Sequence, residues 1–280
     1  MQNCDELEEK RITIVKHAIS EILHSKIVPD LVGSTCLKLE NSPATMVIAQ
    51  KYEFHQSDIA SLAVYLIGGQ VTKAEKLVAS HLDSGCAASA LILSLFAPVA
   101  QLMGDKWCND SASFAEVTLG MMELHSLLRS IDPELVQEFS TLERRGKALF
   151  SVMPGDTHIF GVSVLQSFFM ANGWSVDVML DPTTRSLGDR LASANYDIVG
   201  LSVASREAIP ECKKLIKILR EKTINPDSAF MVGGLPFSLE PTLVSAVEAD
   251  HMATDAFEAL AIASSICEKK QSIESSTHYA

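Results

Sequence analysis

Hydrophobic positions change period partway along this chain. Between residues 56 and 131, apolar side chains recur every three or four positions, in stretches such as "SDIASLAVYLI" and "SFAEVTLGMMELHSLLRSI". That is the spacing of one face of an α-helix. From residue 147 the pattern switches to short continuous apolar runs: "KALFSVM", "WSVDVML", "YDIVGLSV", "SAFMVGG" and "HMAT". Each is followed by a helix-like segment. Five such runs, each followed by a helix, predict a parallel sheet covered on both faces.

The first half reads as four helices. One is capped by Ser57 and stopped by Gly68-Gly69. The second opens on a capping box, Thr72 with Glu75. The third, over 87–107, contains Pro98, which predicts a kink or a break. The fourth presents Met121, Leu124, Leu127 and Leu128 as a core face. Short links between the helices suggest a bundle. Upstream, "LEEKRITIVKHAISEILHSK" is one more helix, followed by the breakers Pro29 and Pro43. The expected layout is an arm over 1–50, a helical bundle over 51–131, a charged linker over 132–146, an α/β domain over 147–268 and a tail over 269–280.

Composition narrows the function classes. The chain has 280 residues, 47% hydrophobic and 21% charged, with a net charge of -12. That describes a globular protein of one or two domains and disfavours a sequence-independent nucleic-acid binder, which needs cationic surface. Residues 1–50 hold five basic and seven acidic residues, too few cations for a DNA-reading module. The start lacks the layout of a signal peptide. No apolar run reaches the roughly 18–20 residues of a membrane helix. Six cysteines without paired spacing read as reduced thiols. A cytoplasmic location follows as the expectation. No heptad run proposes a dimer.

The candidate chemistry lies in "GDTHIFG", residues 155–161, directly after the first strand. Ligands of doubly wound sheets bind beyond the carboxyl ends of the strands. His158 taken alone is a helix-start histidine. With Asp156 two residues before it, it becomes a candidate metal ligand. One imidazole cannot cage a metal, but it suits an ion already held by a macrocycle. Asp156 would fix the tautomer through the far ring nitrogen. Gly155 and Gly161 allow a sharp turn and leave room. Ser202 and Ser205 follow the third strand, and Gly233-Gly234 the fourth. They read either as a strand-end hydroxyl and a tight turn or as a slot for a planar, nucleotide-like tail. A phosphorylatable receiver needs an aspartate where Ser202 stands. A dinucleotide site needs a middle glycine that the first loop lacks.

Asp156-x-His158-x-x-Gly161, then Ser202, then Gly233-Gly234, resembles the cobalamin-binding signature, over about 145–265. The resemblance implies a flavodoxin-like fold in which His158 is the lower axial ligand of cobalt in place of the cofactor's own dimethylbenzimidazole. It also implies that the displaced tail threads the slot lined by the serine and the glycines. The bundle resembles the four-helix cap of that family, with "APVAQLMGDKW" placing Trp107 over the corrin, or else as an ordinary core aromatic. Glu116 and Val117 stand where related light-sensing repressors carry a Glu-His pair, so the upper histidine is missing. Glu116 alone reads as a first-turn charge.

"WCNDSASFAEVTLG" resembles the branch of cobalamin-binding antirepressors of photosynthesis-gene control. The expectation is therefore a cobalamin-dependent light- or redox-responsive photoreceptor and transcription regulator. It would act on a partner DNA-binding repressor, without nucleic-acid or membrane contact and without enzymatic activity. Two alternatives stand beside it: a corrinoid methyl-carrier subunit of a methyltransferase system, and a haem sensor on the same scaffold.

Overall fold

The computed structural model describes residues 54–139 and 145–277, with side-chain surroundings as far as residue 268. The expected arm over 1–50 lies outside the described residues, as do 140–144 of the expected linker. The chain divides into two compact units. The first takes the described residues up to 127 except 87–89, and the second takes 87–89 and the described residues from 128.

In the first unit, α1 (Gln56–Ile67) and α2 (Val71–Asp83) join α3 (Ala88–Cys108) and α4 (Phe114–Ser130), which runs into the second unit. Leu62, Leu66, Leu95, Phe96, Val99 and Met103 are buried in its core. Two caps differ from the sequence reading. The N-cap of α1 is His55 and that of α2 is Gln70, neither with a side-chain bond, so Ser57 and Thr72 sit inside the first turns. The stop at Gly68-Gly69 is present, with Gly69 at φ 64°.

Pro98 neither breaks α3 nor interrupts its run. The helix widens into a π-turn over Ile92–Phe96 immediately before it. A wide turn with one extra residue absorbs the donor that proline lacks. At 21 residues, α3 is long and apolar enough to cross a membrane by length and composition, contrary to the sequence reading; half of its most apolar window is buried in the protein. Gly120 of α4 lets the helices close up, since a Cβ there would lie 2.9 Å from the Met103 sulfur.

The second unit opens with α5 (Asp132–Glu138), where a linker was expected; Leu135 buries one face and α5 packs on α6. The sheet follows: β1 (Lys147–Val152), α6 (Phe160–Ala171), β2 (Ser175–Met179), α7 (Thr184–Ser193), β3 (Ile198–Ser202), a 3-10 turn (Arg206–Ala208), α8 (Ile209–Lys222), β4 (Ala229–Gly233), α9 (Leu235–Leu239), α10 (Leu243–Ala246), β5 (His251–Ala253) and α11 (Ala256–Thr277). All five expected strands are present, parallel, in the order β2-β1-β3-β4-β5. This is the flavodoxin-like order, and its topological switch point lies between β1 and β3.

Strand alternation builds two cores. Ala148 and Phe150 of β1 join Val162, Phe169, Trp174 and Leu260 on one face. Leu149 joins Leu187, Leu191, Val199, Leu215 and Phe230 on the other. On the edge strand β2, Asp177 accepts from the buried Tyr196 hydroxyl and pairs with Lys147 at 3.1 Å and Arg190 at 2.9 Å. Burial, then the hydrogen bond and charge of Asp177, push the Tyr196 hydroxyl up to about 12.

Gly200 of β3 sits opposite Phe150, and a Cβ there would lie 2.5 Å from the ring. Gly200→Ala is expected to cost about 1–3 kcal/mol by overpacking, read as a lower urea midpoint at unchanged slope.

Candidate functional site

Val152, Ser202, Gly233 and Ala253 are in register as the last row of the sheet across β1, β3, β4 and β5. The candidate residues of the second unit stand on or just past that row. After β1 the chain turns over Met153-Pro154-Gly155-Asp156. Proline in the second place, Gly155 at φ 81° in the third and an Asp156 N–H to Met153 carbonyl bond of 2.9 Å are the marks of a type II turn. Asp156 is thereby presented to the two residues that follow. Its Oδ1 accepts from the His158 backbone N–H at 2.9 Å and lies 2.6 Å from His158 Nδ1.

An ionised carboxylate can only accept, so the proton of that contact sits on Nδ1. In the neutral ring Nε2 then keeps the lone pair that a metal needs. The Asp156 side chain is 14% exposed and that of His158 is 74% exposed. A mostly covered orienting group thus carries an open ligand group. Burial works to raise the Asp156 carboxyl, but the bonds from the His158 amide and ring, the His158 charge and the Ala204 amide outweigh it. The carboxyl is held below its ordinary value of 3.8. Ala204 was not anticipated, because a backbone amide leaves no trace in residue identity.

The glycines divide into two kinds. Gly161, in the first turn of α6, has nothing within 4 Å of a would-be Cβ. Its smallness serves open space. Gly233 and Gly234 serve the protein's own backbone: a Cβ would lie 2.9 Å from the Ala253 carbonyl oxygen in one case and 2.1 Å from that of Val203 in the other. Gly234 is also at φ 112°. Val203 N–H bonds the Gly233 carbonyl at 2.9 Å, holding the ends of β3 and β4 together. Ser202 is half-buried at the end of β3.

Trp107, Glu116 and Val117 belong to the first unit, at the corner between α3 and α4. Trp107 is half-buried and meets the exposed Phe114 edge-on, with ring centroids 6.2 Å apart. Ser113 donates its N–H and hydroxyl to Glu116, at 2.8 and 2.6 Å, and the Glu116 N–H faces the Ser113 hydroxyl at 3.3 Å. This is a capping box. The Ser113 side-chain and backbone bonds lower the Glu116 carboxyl. The half-buried Val117 donates its N–H to the Ser113 carbonyl.

The residues fit a macrocycle-bound metal. Among the described residues no group of three His, Cys, Asp or Glu could hold an ion alone. A ring-held cobalt asks for one axial nitrogen, and His158 offers one, oriented by Asp156 beside the open space at Gly161.

Comparison with known proteins agrees on the cofactor and corrects the role. Residues 146–261 match the B12 binding domain family. An uncharacterized 20.5 kDa protein in the bchF-crtJ intergenic region of Rhodobacter capsulatus is 26% identical over 124 residues, 44% of this chain and 65% of that protein. Dimethylamine corrinoid protein 1 of Methanosarcina acetivorans is 26% identical over 129 residues, 46% of this chain and 60% of that protein. The chain thus spans less than two thirds of either relative. The monomethylamine corrinoid protein of Methanosarcina barkeri shares the fold, with a TM-score of 0.64 at 19% identity over 75% of this chain and 99% of that one.

These findings overturn the expected membership in the photoreceptor and antirepressor branch. Dimethylamine corrinoid proteins 1 and 3 are named for the corrinoid they carry, and the Rhodobacter relative is named for a genomic position without a role. The roles of photoreceptor, transcription regulator and antirepressor fall, and the DNA-binding repressor falls as partner. The physical reason is local. "SFAEVT" drew the chain towards the sensor branch, yet Ser113 and Glu116 are accounted for by capping α4. The haem alternative gains no support. The match of residues 146–261 to the B12 binding domain supports cobalamin, a cobalt corrinoid, as the cofactor.

Proposed function

We propose that this protein is a cytoplasmic corrinoid carrier, the subunit of a methyltransferase system that holds the cofactor between two separate enzymes. It is not itself an enzyme. Bound cobalamin supplies a cobalt centre able to accept and release a methyl group. The chain supplies the rest. His158 Nε2 would ligate cobalt, and Asp156 keeps the proton on Nδ1 and fixes the ring. Gly161 leaves space for the bulk of the group. Ser202 and the Gly233-Gly234 turn border the path of its tail, with the Ser202 hydroxyl as a hydrogen-bond partner. In the first unit, Trp107, Glu116 and Val117 are the candidate contacts to the cofactor.

The observation that carries the reading is the Asp156–His158 pair at the switch point of a B12-binding domain. The corrinoid protein among the relatives supports the carrier role over a regulatory one. Full-length protein loaded with methylcobalamin should pass its methyl group to a thiol acceptor when a corrinoid-dependent methyltransferase is added. The loss of label from the protein should match its gain by the acceptor. Labelled methyl that stays on the protein with every such enzyme tried would sink the carrier role.

A further inference from the structure

The rim at the carboxyl end of the sheet is acidic with one exception. The segments that leave the strands, 153–159, 180–183, 203–208, 234–242 and 254–255, carry Asp156, Asp181, Glu207, Glu240 and Asp255. They carry one Lys or Arg, which is Arg206. Its guanidinium Nη1 donates to Glu240 Oε2, joining the segment after β3 to the segment after β4. Both side chains remain accessible, at 66% and 40% exposure. These are the strands whose ends are bonded through Val203 and Gly233 and closely approached at Gly234.

We infer that Arg206 is a specificity-determining residue that binds the phosphodiester of the cofactor's nucleotide tail, exchanging Glu240 for the phosphate. The inference rests on the carrier reading, in which Ser202 and the Gly233-Gly234 turn, at the ends of β3 and β4, border the path of the tail. A phosphodiester brought to this rim meets five carboxylates and one cation. Repulsion from the carboxylates opposes its entry, and Arg206 can offset it. Guanidinium geometry matches phosphate as well as carboxylate, through parallel N–H donors. Glu240 holds the guanidinium over the gap between the two segments until then. An exposed pair of this kind is weak in water, so the exchange costs little.

The test uses three ligands that share the corrin: cobalamin, cobinamide phosphate and cobinamide, which lacks the tail and its phosphate. Dissociation constants are measured on the full chain by tryptophan quenching, and the visible spectrum of each complex is recorded. Arg206→Ala should weaken cobalamin and cobinamide phosphate by about tenfold or more and leave cobinamide unchanged. Glu240→Gln should tighten the two phosphate-bearing ligands, because Arg206 loses its competing partner. Equal weakening of all three ligands by Arg206→Ala, or no weakening of any, would overturn the inference. A wild-type cobalamin spectrum with benzimidazole still on cobalt would overturn both this inference and the histidine assignment. A shifted spectrum with unchanged cobalamin-to-cobinamide selectivity in Arg206→Ala would overturn this inference alone.

Discussion

His158→Ala protein loaded with cobalamin is expected to lose the spectrum of an imidazole-ligated cobalt and to show that of the free cofactor. Cobalamin affinity should fall by about two orders of magnitude, because an axial ligand and the displacement it drives disappear together. Asp156→Asn should keep the ligand yet lose about tenfold, the usual effect of removing the partner that orients a metal-bound histidine. Wild type and Asp156→Asn also respond differently to acid. The folded-state Asp156 carboxyl is depressed below 3.8, so its stabilising contribution is complete above that ordinary value. It is lost as pH falls through the lower folded-state value. The stability advantage of wild-type apoprotein over Asp156→Asn should therefore shrink as the pH falls below 3.8, read by chemical denaturation at a series of acid pH values. An unaltered spectrum in His158→Ala at neutral pH would remove the histidine from the site.

Gly234→Ala should fail earlier, before any cofactor is added. At φ 112° a side chain is strained, and its Cβ would lie 2.1 Å from the Val203 carbonyl oxygen. The ends of β3 and β4 must part to admit it, at an expected cost of about 2–4 kcal/mol. Chemical denaturation of the apoprotein reads that cost directly. Gly161→Ala is the contrasting case. A Cβ there meets nothing within 4 Å, and alanine in a helical turn is favoured over glycine by about 1 kcal/mol. The apoprotein should be as stable as wild type or more so, while cobalamin uptake is impaired. If Gly161→Ala instead bound cobalamin normally, the open space at α6 would have no part in binding.

These two glycines mark how far the sequence was legible. The strands were legible because buried parallel strands are near-continuous apolar runs, and five of them stood out between polar segments. The Asp156–His158 pair was legible because an Asx turn is built from neighbours in sequence, and its spacing is its geometry. The need for Gly234 was not, because the atom that forbids a side chain there belongs to Val203 on another strand. Gly200 was hidden for the same reason, its constraint being the Phe150 ring across the sheet. The caps of α1 and α2 misled because Ser57 and Thr72 have the right chemistry one or two residues inside the helix. Glu116 was legible as a first-turn charge, because a serine and a glutamate three apart are what a helix start requires. The stretch around it misled, since its likeness to a sensor branch came from residues that cap a helix.

The π-turn in α3 has a consequence for Trp107. One additional residue in a helix rotates everything after it by about 100° around the axis. The face that carries Trp107 is thus set, relative to Leu91, by the wide turn over Ile92–Phe96. Removing a residue there to restore regular winding would swing the indole by more than a quarter of a revolution. The wide turn therefore acts as an azimuthal setting, aiming a ring farther along the helix while leaving the rod that bears it unbroken.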